Sequence, residues 1–136
     1  MVIEPLRLIF DFGLLVLIWM VQIIVYPSFQ FFQKENLIKW HEKYTRVISF
    51  VVIPLMFGQL IITVLQLIKI QSVFNICSLV LIGLVWAITF SQFVPMHSKI
   101  SAGNADEILL KRIVKMNWSR TLLWTVIFIW NLLTSL

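Results

Sequence analysis

One cysteine, two histidines and six carboxylates in 136 residues leave this sequence short of the usual reactive groups. Cys77 stands alone, so an internal disulfide and a multi-cysteine metal site are both excluded. His41 and His97 fall below the roughly three or four ligands that a zinc site takes from its protein, and no metal site is expected. Two histidines would suffice as axial haem ligands, but nothing in their spacing asks for haem, and no cofactor is assigned. The four glycines form no P-loop and no dinucleotide fingerprint. A nucleophile-elbow serine and an HExxH pair are also missing. There is no low-complexity tract, obvious repeat or GxxxG motif. Charged residues make up only 12% of the chain, too few to cover a soluble globule of this size.

Apolar residues are abundant instead: 60% of the chain is hydrophobic and the mean hydropathy is +0.96. The apolar runs approach the length a helix needs to cross about 30 Å of hydrocarbon. The expected fold is all-α: a polytopic membrane protein built as one antiparallel four-transmembrane-helix bundle over residues 1–136. Its helices are predicted at about 6–26, 44–68, 73–94 and 107–135. Glu4 precedes Arg7 and no small-x-small site follows, so the first run reads as a membrane helix rather than a cleaved signal. Pro27 and Pro95 are expected to stop the first and third helices, and Pro54 to kink the second. The stretch 28–43, with Phe29, Phe31, Phe32 and Trp40 among lysines, reads as an interfacial aromatic belt. Asn104 or Asp106 is placed to cap the last helix.

The formal charge of +5 does not point to nucleic acid, because the cations cluster around two loops. Nine of the eleven Lys and Arg flank those loops, and only Arg7 and Lys69 lie at the other side. The positive-inside rule then puts both long loops in the cytoplasm and both termini outside, in what is expected to be a bacterial inner membrane. The lipid bilayer is the principal partner, and a homo-oligomer is left open.

Depth along each helix follows from a rise of about 1.5 Å per residue. Asp11, Gln59 and Asn131 then arrive at similar depth in the outer half, where they are expected to face one another. Gln22 and Gln92 fall in the inner half. At the cytoplasmic mouth converge Tyr26, His41, Tyr44, His97, Asn117, Trp118 and Arg120, with Trp124 a turn deeper. Such a cluster suits a flat or anionic ligand, since a guanidinium offers a planar fork to an oxyanion. Plainer readings exist for each group. His41 can be a surface or capping residue, His97 interfacial, and Arg120 a side chain that reaches up to headgroups.

Several short patterns carry a resemblance: Tyr26-Pro27-Ser28, Trp40-His41 with Tyr44, Pro95-x-His97, and Asn117-Trp118-x-Arg120-Thr121 with Trp124. Together they resemble a functionally unassigned family of small bacterial four-helix integral membrane proteins. More distantly, the layout is similar to the anthrone-oxygenase-like membrane domain group, which also ends in a polar helix bearing Trp and Arg. That second resemblance implies cofactor-independent oxidation of a polycyclic phenolic substrate.

The expected function is therefore a small membrane enzyme or redox protein acting on an amphiphilic or aromatic substrate. His41 or His97 would be its acid or base, and Arg120 with Asn117 its oxyanion stabilisers. Tyr26, Tyr44, Trp118 and Trp124 would bind the substrate. The alternative is a non-enzymatic subunit or small transporter whose polar stripes serve helix packing or partner docking.

Overall fold

The computed structural model describes residues 2–136, which form four helices and short turns. They are α1 (Ile3–Phe31), α2 (Lys34–Lys69), α3 (Val73–Ser101) and α4 (Glu107–Ser135). The first three are long and apolar enough to cross a membrane. The surface of the four is lipid-like, with Phe12, Ile24, Phe50, Ile61, Phe90 and Leu133 all exposed. The polar side chains are inside instead: Arg7, Asp11, His41, Gln59 and Asn117 are buried. Hydrocarbon offers backbone and side-chain polar groups no partner, so a bundle in lipid has to turn them toward one another.

Spacing explains a departure from regular helix in α1 and α3. The buried face of α1 runs Arg7, Asp11, Leu14, Ile18, and then Val21, Gln22, Tyr26 and Phe29. From Ile18 to Tyr26 the interval is two steps of four. At about 100° per residue, Tyr26 would drift some 80° off the face. A π turn over Val21–Val25 absorbs the extra residue, and the Tyr26 N–H bonds back to the Val21 carbonyl. In α3 the buried series Asn75, Ser78, Ile82, Val85 resumes at Phe93, again after two steps of four. The π turn Thr89–Phe93 corrects it in the same way.

These turns also overturn the expectation that Pro27 and Pro95 end their helices. Each proline sits two residues beyond a π turn, where the ladder of i→i−4 bonds is already interrupted. The missing N–H therefore costs little more, and the wide turn gives the ring room. α1 runs on to Phe31 and α3 to Ser101.

The second helix begins earlier than expected, so that residues 34–43 are its first turns and not a separate loop. Its 36 residues span about 54 Å, well beyond the hydrocarbon thickness of about 30 Å. Phe32 stacks on Trp40 beside this extension, with ring centroids 6.3 Å apart. Close approach of α1 and α2 depends on Gly58, where an added methyl would overlap the Phe10 ring.

The turn between α3 and α4 is fixed by local chemistry. Gly103 adopts a φ of 78°, a left-handed conformation that other residues resist. Its N–H bonds to the Ile100 carbonyl and that of Asn104 to the Lys99 carbonyl, closing a Schellman motif. Asp106 then caps α4, accepting from the Leu109 N–H at 2.8 Å. In the first turn Lys111 lies 2.6 Å from Glu107 and holds its carboxyl below the usual range.

At the opposite end a polar layer ties all four helices. Asp11 accepts from Gln59 at 2.7 Å and from Asn131 at 2.8 Å. Arg7 lies 3.5 Å from the same carboxylate. Its Nη1 donates to Gln66 at 2.8 Å and more weakly to Asn75 at 3.5 Å. Arg7 is fully buried rather than extended to the interface, with its guanidinium over the Phe74 ring. Asp11 holds it there, since an unpaired cation at that depth would be expelled.

Candidate functional site

Arg120 stands at the centre of the half of the bundle nearer the α3–α4 turn. It lies one turn past Asn117 on α4 and is only 7% exposed. Its Nε and Nη2 both donate to Asn117 Oδ1, at 3.0 and 2.7 Å. Nη2 also donates to the Tyr26 hydroxyl at 2.9 Å. The guanidinium carbon is 3.6 Å from the centre of the Phe93 ring, a cation–π contact that burial strengthens.

Asn117 is itself held. Its Nδ2 donates to Gln22 Oε1 at 3.0 Å, which also accepts from Thr121 at 2.9 Å. Gln22 Nε2 in turn donates to the Val114 carbonyl at 3.1 Å. Asn117 therefore positions Arg120. Nη1 is the guanidinium's least engaged corner, with only Thr89 Oγ1 at 3.4 Å.

From Tyr26 the hydrogen bonds continue through both histidines. The Tyr26 hydroxyl is 2.8 Å from His97 Nε2, and His97 Nδ1 is 2.7 Å from His41 Nε2. His41 Nδ1 is 2.8 Å from Ser101 Oγ, on an exposed residue at the loop end of α3. Direction can be assigned because Arg120 can only donate. The Tyr26 oxygen accepts from Arg120, and because His97 Nε2 is the hydroxyl's only other partner among the described residues, its buried proton is satisfied only by pointing there. A neutral His97 then donates from Nδ1 to His41, and His41 donates from Nδ1 to Ser101. Each link comes from a different helix than the one before it: α4, α1, α3, α2, then α3 again.

A cavity of about 530 Å³ opens between α2 and α3. Ile48, Val52, Met56 and Phe57 line it from α2, and Trp86, Phe90 and Val94 from α3. Tyr26, Tyr44, His97 and Arg120 supply its polar end, and Trp124 lies deeper along it. The Trp124 indole donates to Gln59 Oε1 at 3.2 Å, so the cavity wall is tied to the outer polar layer. Trp86 Nε1 is buried without a partner, while its ring meets Phe57 edge-on.

Of the eight residues singled out by sequence, five line this cavity: Tyr26, Tyr44, His97, Arg120 and Trp124. His41 and Asn117 are fully buried behind it, one in the chain of hydrogen bonds and one holding the guanidinium. Trp118 is not part of the arrangement, contrary to its expected place as a wall. It is 42% exposed on the outer surface, edge-on to Trp19 with ring centroids 5.6 Å apart. The physical reason is helical phase. Asn117, Arg120, Thr121 and Trp124 share one face, and the residue after Asn117 points about 100° away.

Ser101, Gln22, Phe93 and Thr89 belong to the site and were not selected from sequence. Gln22 carried a signal as an isolated amide on an apolar helix. Ser101 carried none, because a serine at a helix end is common. The two histidine rings lie 5.0 Å apart and 23° from parallel, with three of their four nitrogens engaged within the Tyr26–His97–His41 chain. They face each other closely and do not bracket the space a haem needs. Among the described residues, no three His, Cys, Asp or Glu side chains group as a metal site. No family model, curated protein or solved structure matches this chain.

Proposed function

We propose that this protein is a small membrane enzyme or redox protein that takes an amphiphilic, aromatic-headed molecule from the bilayer through the gap between α2 and α3. The observation that carries this reading is the cavity itself: apolar along its length and closed at one end by Arg120, Tyr26, Tyr44 and His97. A preformed apolar pocket with a few convergent polar groups is the usual form of a small-molecule site. The tail of the ligand lies along α2 and α3, and its head reaches the guanidinium.

The chemistry we assign is proton transfer. The phenol of Tyr26 loses its proton to His97 Nε2 as His97 passes its Nδ1 proton to His41, and His41 releases one toward Ser101. The tyrosinate left behind is stabilised by the Arg120 cation and can accept a proton from the bound head. One proton leaves the substrate and one reaches the loop side, with Tyr26 restored. Histidine suits this role because its two nitrogens carry a proton in and out. Oxidation of a phenolic substrate, as the distant family resemblance implies, would begin with such a deprotonation.

The reading includes a fourth span. Asn117, Arg120 and Asn131 lower the apolarity of α4, but all three are buried against the other helices. Its outward face, with Leu122, Val126, Ile129 and Leu133, is fit for lipid. Short turns join the helices, which favours an antiparallel bundle. With the positive charge at the loops, both termini lie outside and Ser101 is cytoplasmic. The outer polar layer ties the four helices through Asp11 and Arg7 and serves helix packing, the role that the non-enzymatic alternative gives to all such stripes.

Mass spectrometry of the gently extracted protein tests the reading. The wild type should carry a lipophile that Ser49→Trp, which fills the cavity, does not. Equal recovery of the same lipophiles from both would rule out an occupied cavity.

A further inference from the structure

A second cleft, of about 480 Å³, lies on the other side of α3, against α4. Its lining is Ile88, Gln92, Arg112, Lys115, Met116 and Ser119. Two of the six are cations and none is acidic. Lys111, one residue before Arg112, is engaged by Glu107, whereas Arg112 and Lys115 make no ion pair among the described residues. The Arg112 Nε instead donates to the Met116 sulfur, a weak acceptor that leaves the guanidinium fork available.

The cleft lies at the cationic end of α4, where Lys111, Arg112 and Lys115 fall within five residues, as cations cluster where a membrane helix meets water. Gln92 comes from the π turn of α3. The apolar wall at Ile88 continues into the span. A ligand here meets cations and an amide toward the water and hydrocarbon toward the bilayer centre.

We propose that this cleft binds phosphate presented by the headgroup of an anionic phospholipid. Arg112 offers the planar fork that matches two phosphate oxygens, and Lys115 adds a second charge. Ser119 and Gln92 receive the remaining headgroup oxygens, and the acyl chain follows α3 past Ile88. Basic pockets between membrane helices on the side rich in Lys and Arg hold anionic lipids in this way.

The test is native mass spectrometry of the detergent-solubilised full chain, titrated with phosphatidylglycerol, phosphatidylcholine or inorganic phosphate. Phosphatidylglycerol should bind in preference to phosphatidylcholine. The double variant R112Q/K115Q should bind it about 30-fold more weakly, from two cations at the membrane surface. K39Q/K43Q removes the same charge elsewhere on the loop side and should bind as the wild type does. Inorganic phosphate at equal concentration should not displace the lipid. Equal binding of the two lipids, an unchanged R112Q/K115Q, equal loss in K39Q/K43Q, or displacement by free phosphate would each overturn the proposal. R112K/K115R keeps both charges but moves the fork to position 115, so it should bind more tightly than R112Q/K115Q, and binding as weak as in that variant would also count against the site.

Discussion

Replacing Arg120 by lysine separates a clamped guanidinium from a cation that only reaches toward headgroups. In the structure Arg120 makes three short bonds, at 3.0 and 2.7 Å to Asn117 and 2.9 Å to Tyr26, while lying over Phe93. An ammonium is a point charge without a flat face. It can keep one of these bonds but not the pair to Asn117 together with the bond to Tyr26. Two bonds to a charged group are therefore lost. At about 0.6 kcal/mol each from membrane measurements, or about 1.5 at the low end for charged groups in water, the cost is about 1–3 kcal/mol. The assay is unfolding of the detergent-solubilised protein, for Arg120→Lys, Tyr26→Phe and the double variant. Because the two side chains touch, the double variant should deviate from additivity by more than about 0.5 kcal/mol. A lysine variant as stable as the wild type, or strict additivity with Tyr26→Phe, would refute the clamped geometry and restore the interfacial reading of Arg120.

Asp11→Leu should destabilise the bundle by about 3 kcal/mol or more, because it leaves Arg7 buried without a counter-charge, and Arg7→Met/Asp11→Leu should recover most of that loss in the same unfolding assay. Gly58→Ala should cost about 1–3 kcal/mol, since the new methyl overlaps the Phe10 ring and pushes α1 from α2, and a melting temperature equal to the wild type would contradict that packing. Nitrogen NMR of the histidines should show two neutral rings protonated at Nδ1, with Tyr26→Phe perturbing His97 more than His41, and a proton on His97 Nε2 would reverse the assigned direction of the chain. For topology, cysteines placed at positions 36 and 104 should resist labelling from outside intact cells, while one at 135 should label readily.

The polar layers were legible because depth in a membrane helix is nearly a ruler. Asp11, Gln59 and Asn131 had been placed at one level by counting residues, and they meet there. Tyr26, His41, His97, Asn117 and Arg120 were found by a related argument, since polar groups near the ends of apolar runs need partners. What counting could not supply was angle. Trp118 sits next to Asn117 in sequence and points elsewhere, as helical phase alone would have warned. The π turns were hidden for a different reason. The shift of the buried face that they correct is visible only once burial is known, and steps of four alone do not announce them, since Leu109, Ile113, Asn117 and Thr121 follow such steps in the regular α4. Proline then misled twice, because the rule that it ends a helix assumes the regular ladder that those turns had already broken.

Three of the four helices contain a proline, and α4 contains neither proline nor glycine. The stiffness of the molecule is therefore unevenly shared. α4 is an uninterrupted helical post that carries the buried cation Arg120 and the residue that aims it, Asn117. Tyr26 and His97 lie just beyond the π turns of α1 and α3, where the regular hydrogen-bond ladder is interrupted. The cavity lies between α2 and α3, the two members jointed at Pro54 and Pro95, so whatever enters it pushes on compliant parts and leaves the post where it was. Filling the cavity thus acts on the contacts through which α1 and α3 meet the post, among them those of Tyr26 and Phe93 with the Arg120 guanidinium. The Tyr26–Arg120 hydrogen bond depends on that spacing, so an occupant of the cavity is felt at the head of the chain that runs through the histidines to Ser101.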